Sequence, residues 1–396
     1  MKRALKRYRK VSGNEVIDSI LSEGHALNGK HIVHISSTLY GGGVAEMLNS
    51  LVPLMNEAGI STGWRVLKGT PEFFVVTKKF HNALQGERIE PRYSRKRVYL
   101  EVNRTFSRIT HLEKHSCVIV HDVQPLPLIN FMKKRQPWVW RCHVDLSNPD
   151  PQTYSYLKRF IAKYDAAIIS NEKFHRPKNK SFVIYPSIDP LSPKNREMKE
   201  KKIKKMLSKR GVDLDKPIVS QVSRFDKWKD PLGVIRAYRA IKKKTDCRLV
   251  LLGSMADDDP EGPAIFKAVH EEAKRLKDVV VLSEYNDYLV NALQRASSVV
   301  VQKSLKEGFG LTVSEALWKN TPVIGTKAGG IPLQIVDGKT GFITKSQRSF
   351  EKKLVFLLKH PEEAIAMGEA GHEFVKENFL VTRHLLDYIR LLKQIT

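Results

Sequence analysis

Cysteine is scarce. Only Cys117, Cys142 and Cys247 occur in 396 residues, too far apart for a Cys-x-x-Cys or other metal-ligand spacing. This excludes a disulfide framework and a thiolate metal knuckle, and it points to free thiols in a reducing cytoplasm. No stretch approaches the roughly 20 apolar residues that a membrane-spanning helix needs. The first ten residues, MKRALKRYRK, are basic but lead into no hydrophobic run, so they do not read as a secretory signal. No Ser/His/Asp set or metal cluster is recognisable, and no glycine loop ends in Gly-Lys-Ser/Thr, which speaks against ATP hydrolysis. Acidic residues are also few, 42 against 68 lysines and arginines, leaving a net charge of +26. Such an excess attracts phosphates and could serve a nucleic acid. However, the lysines gather in the first ten residues, in 194–210 and in 242–244, without the aromatic interleaving that stacks bases. Solvated helix faces and a tail are the simpler reading, with nucleic acid an unfavoured partner and no membrane partner. A homodimer is left open.

What is present is a repeated alternation of apolar strands and helical segments. HIVHISS (31–37) reads as a strand, and TLYGGG leads from it into VAEMLNSLVPLMNEAG. There Val44, Met47, Leu48, Leu51, Leu54 and Met55 recur at three and four, an amphipathic helix ended by Gly59. Further strands are expected at 63–67, 117–122, 138–145, 166–171 and 182–186. The proline-containing stretch PSIDPLSPKN (186–195) interrupts the pattern as a linker. The alternation then restarts with strands at 218–223, 248–254, 279–284, 297–304, 322–326 and 341–344. Alternation of this kind predicts parallel strands with crossover helices. The length suits two domains of roughly 150–200 residues. The expected architecture is therefore α/β, two doubly wound Rossmann-like domains on either side of a cleft. Boundaries of 1–190 and 191–374 are expected, with a final helix, about 375–396, packing back on the first domain.

Ligands of such sheets sit beyond the C-terminal ends of the strands, so the polar residues there are the candidates. After the first strand come Gly41, Gly42 and Gly43, whose backbone N–H groups at a helix N-terminus can approach an anion; a tight turn would explain them equally. The strand at 218–223 runs into SRFDKWKDP, where Arg224 and Lys229 can reach one diphosphate, Arg as a fork and Lys as a point charge. The strand at 297–304 opens SLKEGFGLTVSEALW, with Glu307 in a loop bent by Gly308 and Gly310 and Glu315 inside a helix. Carboxylates there would repel phosphate, so paired sugar hydroxyls are their more sensible partners; loop solvation and a favourable helix-dipole charge are the bland alternatives. Gly329 and Gly330 form a further glycine loop. In the first half, RCHVDLS brings His143 and Asp145 off a strand whose Trp138 and Trp140 belong to the core, and VHDVQP does the same for Asp122 and Gln124.

Together, Arg224, Lys229, the Glu307/Glu315 pair and the Gly329-Gly330-Ile331-Pro332 loop resemble the retaining glycosyltransferases of family four, which have the GT-B fold. More narrowly, STLYGGGVAEMLNSLVPLM, EFFVVTKKFHNALQG, WVWRCHVDLS, QVSRFDKWKDP and EGFGLTVSEALWKNTPVIG are similar to the archaeal trehalose glycosyltransferring synthases. The resemblance implies transfer of glucose from a nucleotide-diphosphate glucose to free glucose, giving α,α-trehalose. It implies that Arg224 and Lys229 neutralise the donor diphosphate, that Glu315 holds the ribose hydroxyls and that Glu307 holds hydroxyls of the donor sugar. Gly308, Phe309, Gly310 and Leu311 line the same donor, His143 lies near its C6 hydroxyl, and Gly42 and Gly43 lie by the phosphates. Asp122, Gln124 and Asn103 are expected to hold the acceptor.

With Glu307 a hydroxyl ligand, no carboxylate is left as a nucleophile. A front-face reaction follows, in which the departing diphosphate oxygen helps to remove the acceptor proton. No cofactor is obligatory, although Mg²⁺ can accompany the nucleotide. The carrier nucleotide stays open among ADP, UDP and GDP. Another retaining glucosyl or mannosyl transferase, a disaccharide phosphorylase, a nucleic-acid-binding protein and a sugar-binding regulator with a dead site remain the alternatives.

Overall fold

The computed structural model describes residues 3–40, 42–174, 177–253 and 261–396. Gly41 lies outside them. The described chain divides into two compact units. The first runs to Ser187 and takes in Val381–Thr396, and the second spans Ile188–Leu380, residues 254–260 aside.

The first unit carries strands β1 (His31–Ser36), β2 (Ser61–Val66), β3 (Cys117–His121), β4 (Trp138–Arg141), β5 (Ala166–Ile169) and β6 (Lys180–Val183). The second carries β7 (Ile218–Val222), β8 (Arg248–Gly253), β9 (Val279–Ser283), β10 (Val299–Gln302), β11 (Val323–Thr326) and β12 (Gly341–Thr344). Every expected strand is present, most of them shorter than the apolar run that announces them. All pairings are parallel. The central strands β3, β4, β7 and β10 are buried at every position, as a parallel sheet covered on both faces requires.

Five helices position the residues of interest: α1 (Gly43–Glu57), α2 (Tyr93–Ser107), α3 (Pro231–Ile241), α4 (Leu311–Trp318) and α5 (Val381–Ile395). In α1 the apolar stripe buries Ala45, Met47, Leu48, Leu51, Leu54 and Met55, while Val44, expected in that stripe, is half-buried. The core of the first unit joins Val33, Ile35, Val118, Val120, Trp138 and Trp140 to Phe73, Phe80 and Tyr99. That of the second joins Val219, Leu249, Leu251, Val299, Val301 and Ile324 to Tyr238.

Strand order decides where chemistry can gather. The first sheet runs β2-β1-β3-β4-β5-β6 and the second β12-β11-β10-β7-β8-β9. Each order reverses once, between β1 and β3 and between β7 and β10. At such a switch point the loops leave the two strands in opposite directions and open a crevice for a ligand.

Two local differences from expectation have clear causes. The 138–145 run leaves the sheet after Arg141, whose carbonyl accepts from the Asp122 N–H, so His143 stands on a loop. The 186–195 stretch does span the crossing between units, but it is ordered by its own side chains. Asn195, closed to solvent, donates to the Asp189 carbonyl at 3.0 Å and accepts from Lys319 at 2.7 Å. All three cysteines are buried free thiols. Among the described residues no helix is long and apolar enough to cross a membrane.

Candidate active site

In the second unit, Arg224 and Lys229 follow β7, and Glu307 follows β10, so the switch point brings them side by side. A bond from Leu305 N–H to the Trp228 carbonyl, 2.7 Å, laces the two loops together. Asp226 caps the short turn Lys227–Lys229 by accepting from the Trp228 N–H at 2.8 Å, and its other oxygen lies 3.8 Å from the Arg224 guanidinium. Gln221 donates to the Lys229 carbonyl at 2.8 Å. Asp230 takes the left-handed conformation (φ 46°), caps α3 through the Gly233 N–H and is paired with Lys303. The turn that carries Lys229 is thus held at both ends.

Lys229 Nζ reaches Glu307 Oε2 at 2.5 Å. The same oxygen accepts from Gln302 at 3.1 Å and Ser304 at 3.2 Å. Glu307 Oε1 has no hydrogen bond among the described residues. Gly310 (φ 86°) starts α4, and Phe309 packs edge-on against Phe379. Gln334 ties the glycine loop to α4: it accepts from Ser314 and donates to the Phe309 carbonyl at 2.6 Å. Gly329 (φ 47°) passes so close to this loop that a Cβ there would lie 1.5 Å from the Glu307 carbonyl oxygen. Glu315, in α4, is buried. Its Oε1 lies 3.7 Å from Lys194 Nζ, a residue that the sequence offered only as part of a basic run. Nothing in the local pattern of PLSPKN marks Lys194, because its partner is 121 positions away.

In the first unit, Gly42 is extended (φ −168°), and a Cβ at that position would meet nothing within 4 Å. The chain itself therefore does not require glycine at 42. Gly43 opens α1. The loop after β3 is pinned through three consecutive carbonyls: Asp122 accepts from Trp140 Nε1 (2.9 Å), Val123 from the Tyr99 hydroxyl and Gln124 from Asn103 Nδ2 (3.0 Å). Asp122 is itself left-handed (φ 59°). The side chains of Asp122 and Gln124 are half-buried, whereas Asn103 is closed to solvent with its amide on backbone carbonyls. Asn103 thus acts on the Gln124 backbone through Nδ2, while its Oδ1 has no hydrogen-bond partner among the described residues.

Asp122 Oδ1 accepts from the His143 N–H at 2.7 Å. His143 Nε2 lies 2.9 Å from His121 Nδ1, which leaves Nδ1 as its available nitrogen. Burial and the nearby Arg141 charge push His143 well below the usual histidine range, so the ring is neutral. Asp145 is buried and accepts from the Ser147 N–H at 2.8 Å. Among the described residues no group of three or more His, Cys, Asp or Glu is placed to hold a metal ion.

Residues 34–176 match the family model described as the N-terminal domain of trehalose synthase, and 202–374 match glycosyl transferases group 1. The trehalose synthase of Thermococcus litoralis is 46% identical over 98% of this chain and 96% of its own length. That of Pyrococcus horikoshii is 45% identical over 100% of this chain and 97% of its own. A crystal structure of a UDP-forming α,α-trehalose-phosphate synthase from Burkholderia xenovorans superposes with a TM-score of 0.74 at 14% identity, covering 92% of this chain and 99% of that one. That likeness establishes the GT-B fold, and the full-length identities establish the lineage: this chain is a glycosyltransferase of the trehalose synthase family.

Proposed function

We propose that the enzyme moves glucose from a nucleotide-diphosphate glucose to free glucose with retention, giving α,α-trehalose, and that the reaction is reversible. The observation that carries this reading is the Lys229–Glu307 pair at the β7/β10 switch point, with Arg224 on the same loop as Lys229. Cation and carboxylate side by side suit the two ends of one donor: phosphate oxygens for Lys229 and Arg224, sugar hydroxyls for the open Oε1 of Glu307. Buried Glu315 is assigned to the ribose hydroxyls. His143 Nδ1 is assigned to the C6 hydroxyl of the donor sugar, and the pinned Asp122–Gln124 loop to the acceptor. Glycine at 42 admits close approach of phosphate, which is the use left for it once packing does not demand it.

Catalysis then rests on charge. As the glycosidic bond breaks, negative charge gathers on the diphosphate oxygen, and preset cations stabilise it more than they stabilise the ground state. The same oxygen takes the proton of the incoming hydroxyl from the front face. Holding both sugars in reacting geometry supplies the remainder. Glu307 Oε2 already accepts three hydrogen bonds, which fix the carboxylate as a positioning group with Oε1 left for the sugar. No metal is obligatory in this scheme, and retention of activity after chelation tests that point. Three buried thiols without disulfides suit a reducing compartment, and the cytoplasm is the proposed location.

Incubation with ADP-, UDP- or GDP-glucose and glucose, with the product assayed as trehalose, tests the reading. Failure to form the disaccharide with any donor overturns it.

A further inference from the structure

His143 is the outer member of a row. Behind it stand His121, the last residue of β3, and His34, in β1, both closed to solvent. His143 Nε2 is 2.9 Å from His121 Nδ1, and His121 Nε2 is 2.9 Å from His34 Nδ1. The planes of the outer two rings differ by only 11°.

Each link needs one donor and one acceptor, and a neutral imidazole has a single N–H. The direction of one link therefore dictates the next, and the neutral row has two collective arrangements. In the first, every ring is protonated at Nδ1, donation runs from His34 to His121 to His143, and His143 presents an Nδ1–H. In the second, every ring is protonated at Nε2, and His143 presents a bare Nδ1.

One feature selects between them, and a second keeps the row neutral. His34 Nε2 is sealed in the core with no hydrogen-bond partner among the described residues. The second arrangement would strand an N–H there, whereas the first leaves only a lone pair, and buried orphan N–H groups are rare in folded proteins. The second feature is Arg141, at the end of β4, fully buried with no partner for any of its three guanidinium nitrogens among the described residues. Its charge faces His121 and His143 and opposes a second proton on either ring. From α5, His384 and Arg383 add to the basic side, Tyr388 packs on His34, and His384 Nδ1 is taken up by the Ser187 hydroxyl at 2.8 Å. The nearby carboxylate, Asp122, is engaged by the His143 backbone.

We propose that His121, donating from the sealed inner end of the row that His34 closes, is a positioning residue that holds His143 as its Nδ1–H tautomer, so that His143 donates a hydrogen bond to a donor-sugar hydroxyl and cannot serve as a base. The inference rests on the assignment of His143 to that sugar. It makes this edge of the site a detector of a hydroxyl oxygen set by the sheet interior, two strands away from the ligand.

The test combines a spectrum with kinetics. In protein labelled with ¹⁵N-histidine, free of substrate, the ring shifts of His143 should show a protonated Nδ1 and a bare Nε2. His121→Asn keeps an acceptor for His34 and an amide N–H for His143, and His121→Leu removes both. The His121→Leu variant should show mixed His143 tautomers and a kcat/KM lowered about tenfold, the worth of one hydrogen bond; the His121→Asn variant should stay near wild type in both. His34→Leu only moves the sealed end to His121, whose Nε2 then carries the orphan lone pair, and should leave His143 protonated at Nδ1. With a 6-deoxyglucose donor, wild type and His121→Leu should react equally fast. A wild-type His143 protonated at Nε2, or an equal loss on both donors, overturns the proposal. Should His121→Leu fail to fold, the double variant His34→Leu/His121→Asn replaces it: with His34 gone nothing fixes the amide's orientation, so His143 should show mixed tautomers, and a His143 still wholly protonated at Nδ1 overturns the proposal. If wild type is indifferent to the missing hydroxyl, the sugar assignment of His143 falls, and the spectrum still decides the tautomer by itself.

Discussion

Lys229 and Glu307 are 78 positions apart in the chain and 2.5 Å apart in the structure. The pair exists because β7 and β10 are neighbours in the second sheet, and because the left-handed Asp230 and the Asp226 cap fix the turn that carries the lysine.

Removal of either cation should slow the chemical step. Arg224→Ala and Lys229→Ala are each expected to lower kcat about 10²–10³-fold, the range for loss of one preset electrostatic stabiliser. Steady-state turnover with saturating nucleotide-glucose measures this, and near-normal kcat in Arg224→Ala would remove the diphosphate assignment.

Asp230→Ala should act at a distance from the ligand. It removes a helix cap, worth about 0.5–2 kcal/mol, and the partner of Lys303. Denaturant melts should show that loss, and kcat should fall as Lys229 loses its fixed direction. Asp230→Asn keeps a capping oxygen and should recover most of the stability.

Gly329→Ala would place a methyl group 1.5 Å from the Glu307 carbonyl oxygen at a positive φ. Overpacking of this kind costs about 1–3 kcal/mol or more. The expected result is a lower melting temperature together with a raised KM for the nucleotide-sugar, and a variant with unchanged KM would speak against the placement of Glu307 at the donor.

Stability should depend on pH through buried His34, His121 and His384 and half-buried His143. Burial lowers His34 to about 3 and holds His121, His143 and His384 well below 6.5. The folded state therefore binds fewer protons than the unfolded chain between those values. The sign follows: their contribution is complete above about pH 6.5 and is lost as pH falls toward 3, by up to about 1.4 kcal/mol per unit for each ring. Thermal melts should be flat above pH 7 and decline from 6.5 to 5, where most carboxylates are still ionised. A flat profile down to pH 5 would contradict neutral burial of the row.

Much of the fold could be read before any coordinates. Twelve apolar runs became twelve strands, because the inner strands of a parallel sheet are covered on both faces and so mostly apolar, while the partly exposed β2, β6 and β9 keep enough apolar residues to be read. Arg224, Lys229 and Glu307 could be read as candidates because they stand just past the C-terminal ends of strands, where ligands of parallel α/β sheets sit. Asn103 could not be placed: a helical asparagine looks the same whether it faces solvent or, as here, holds the Gln124 carbonyl. His34 was hidden inside HIVHISS, where neither of the two histidines gives any sign of a partner 87 positions on from the second. Lys194 was submerged in a run of basic residues.

Periodicity, turn residues and strand-end polarity are local properties, so the sequence by itself determined the strands, the helices between them and the kind of chemistry at their ends. Adjacency is not local. Only the tertiary structure decided that β7 lies beside β10 and β1 beside β3, because strand pairing depends on how whole crossover units pack. Those two choices made an ion pair out of Lys229 and Glu307 and a hydrogen-bonded row out of three scattered histidines.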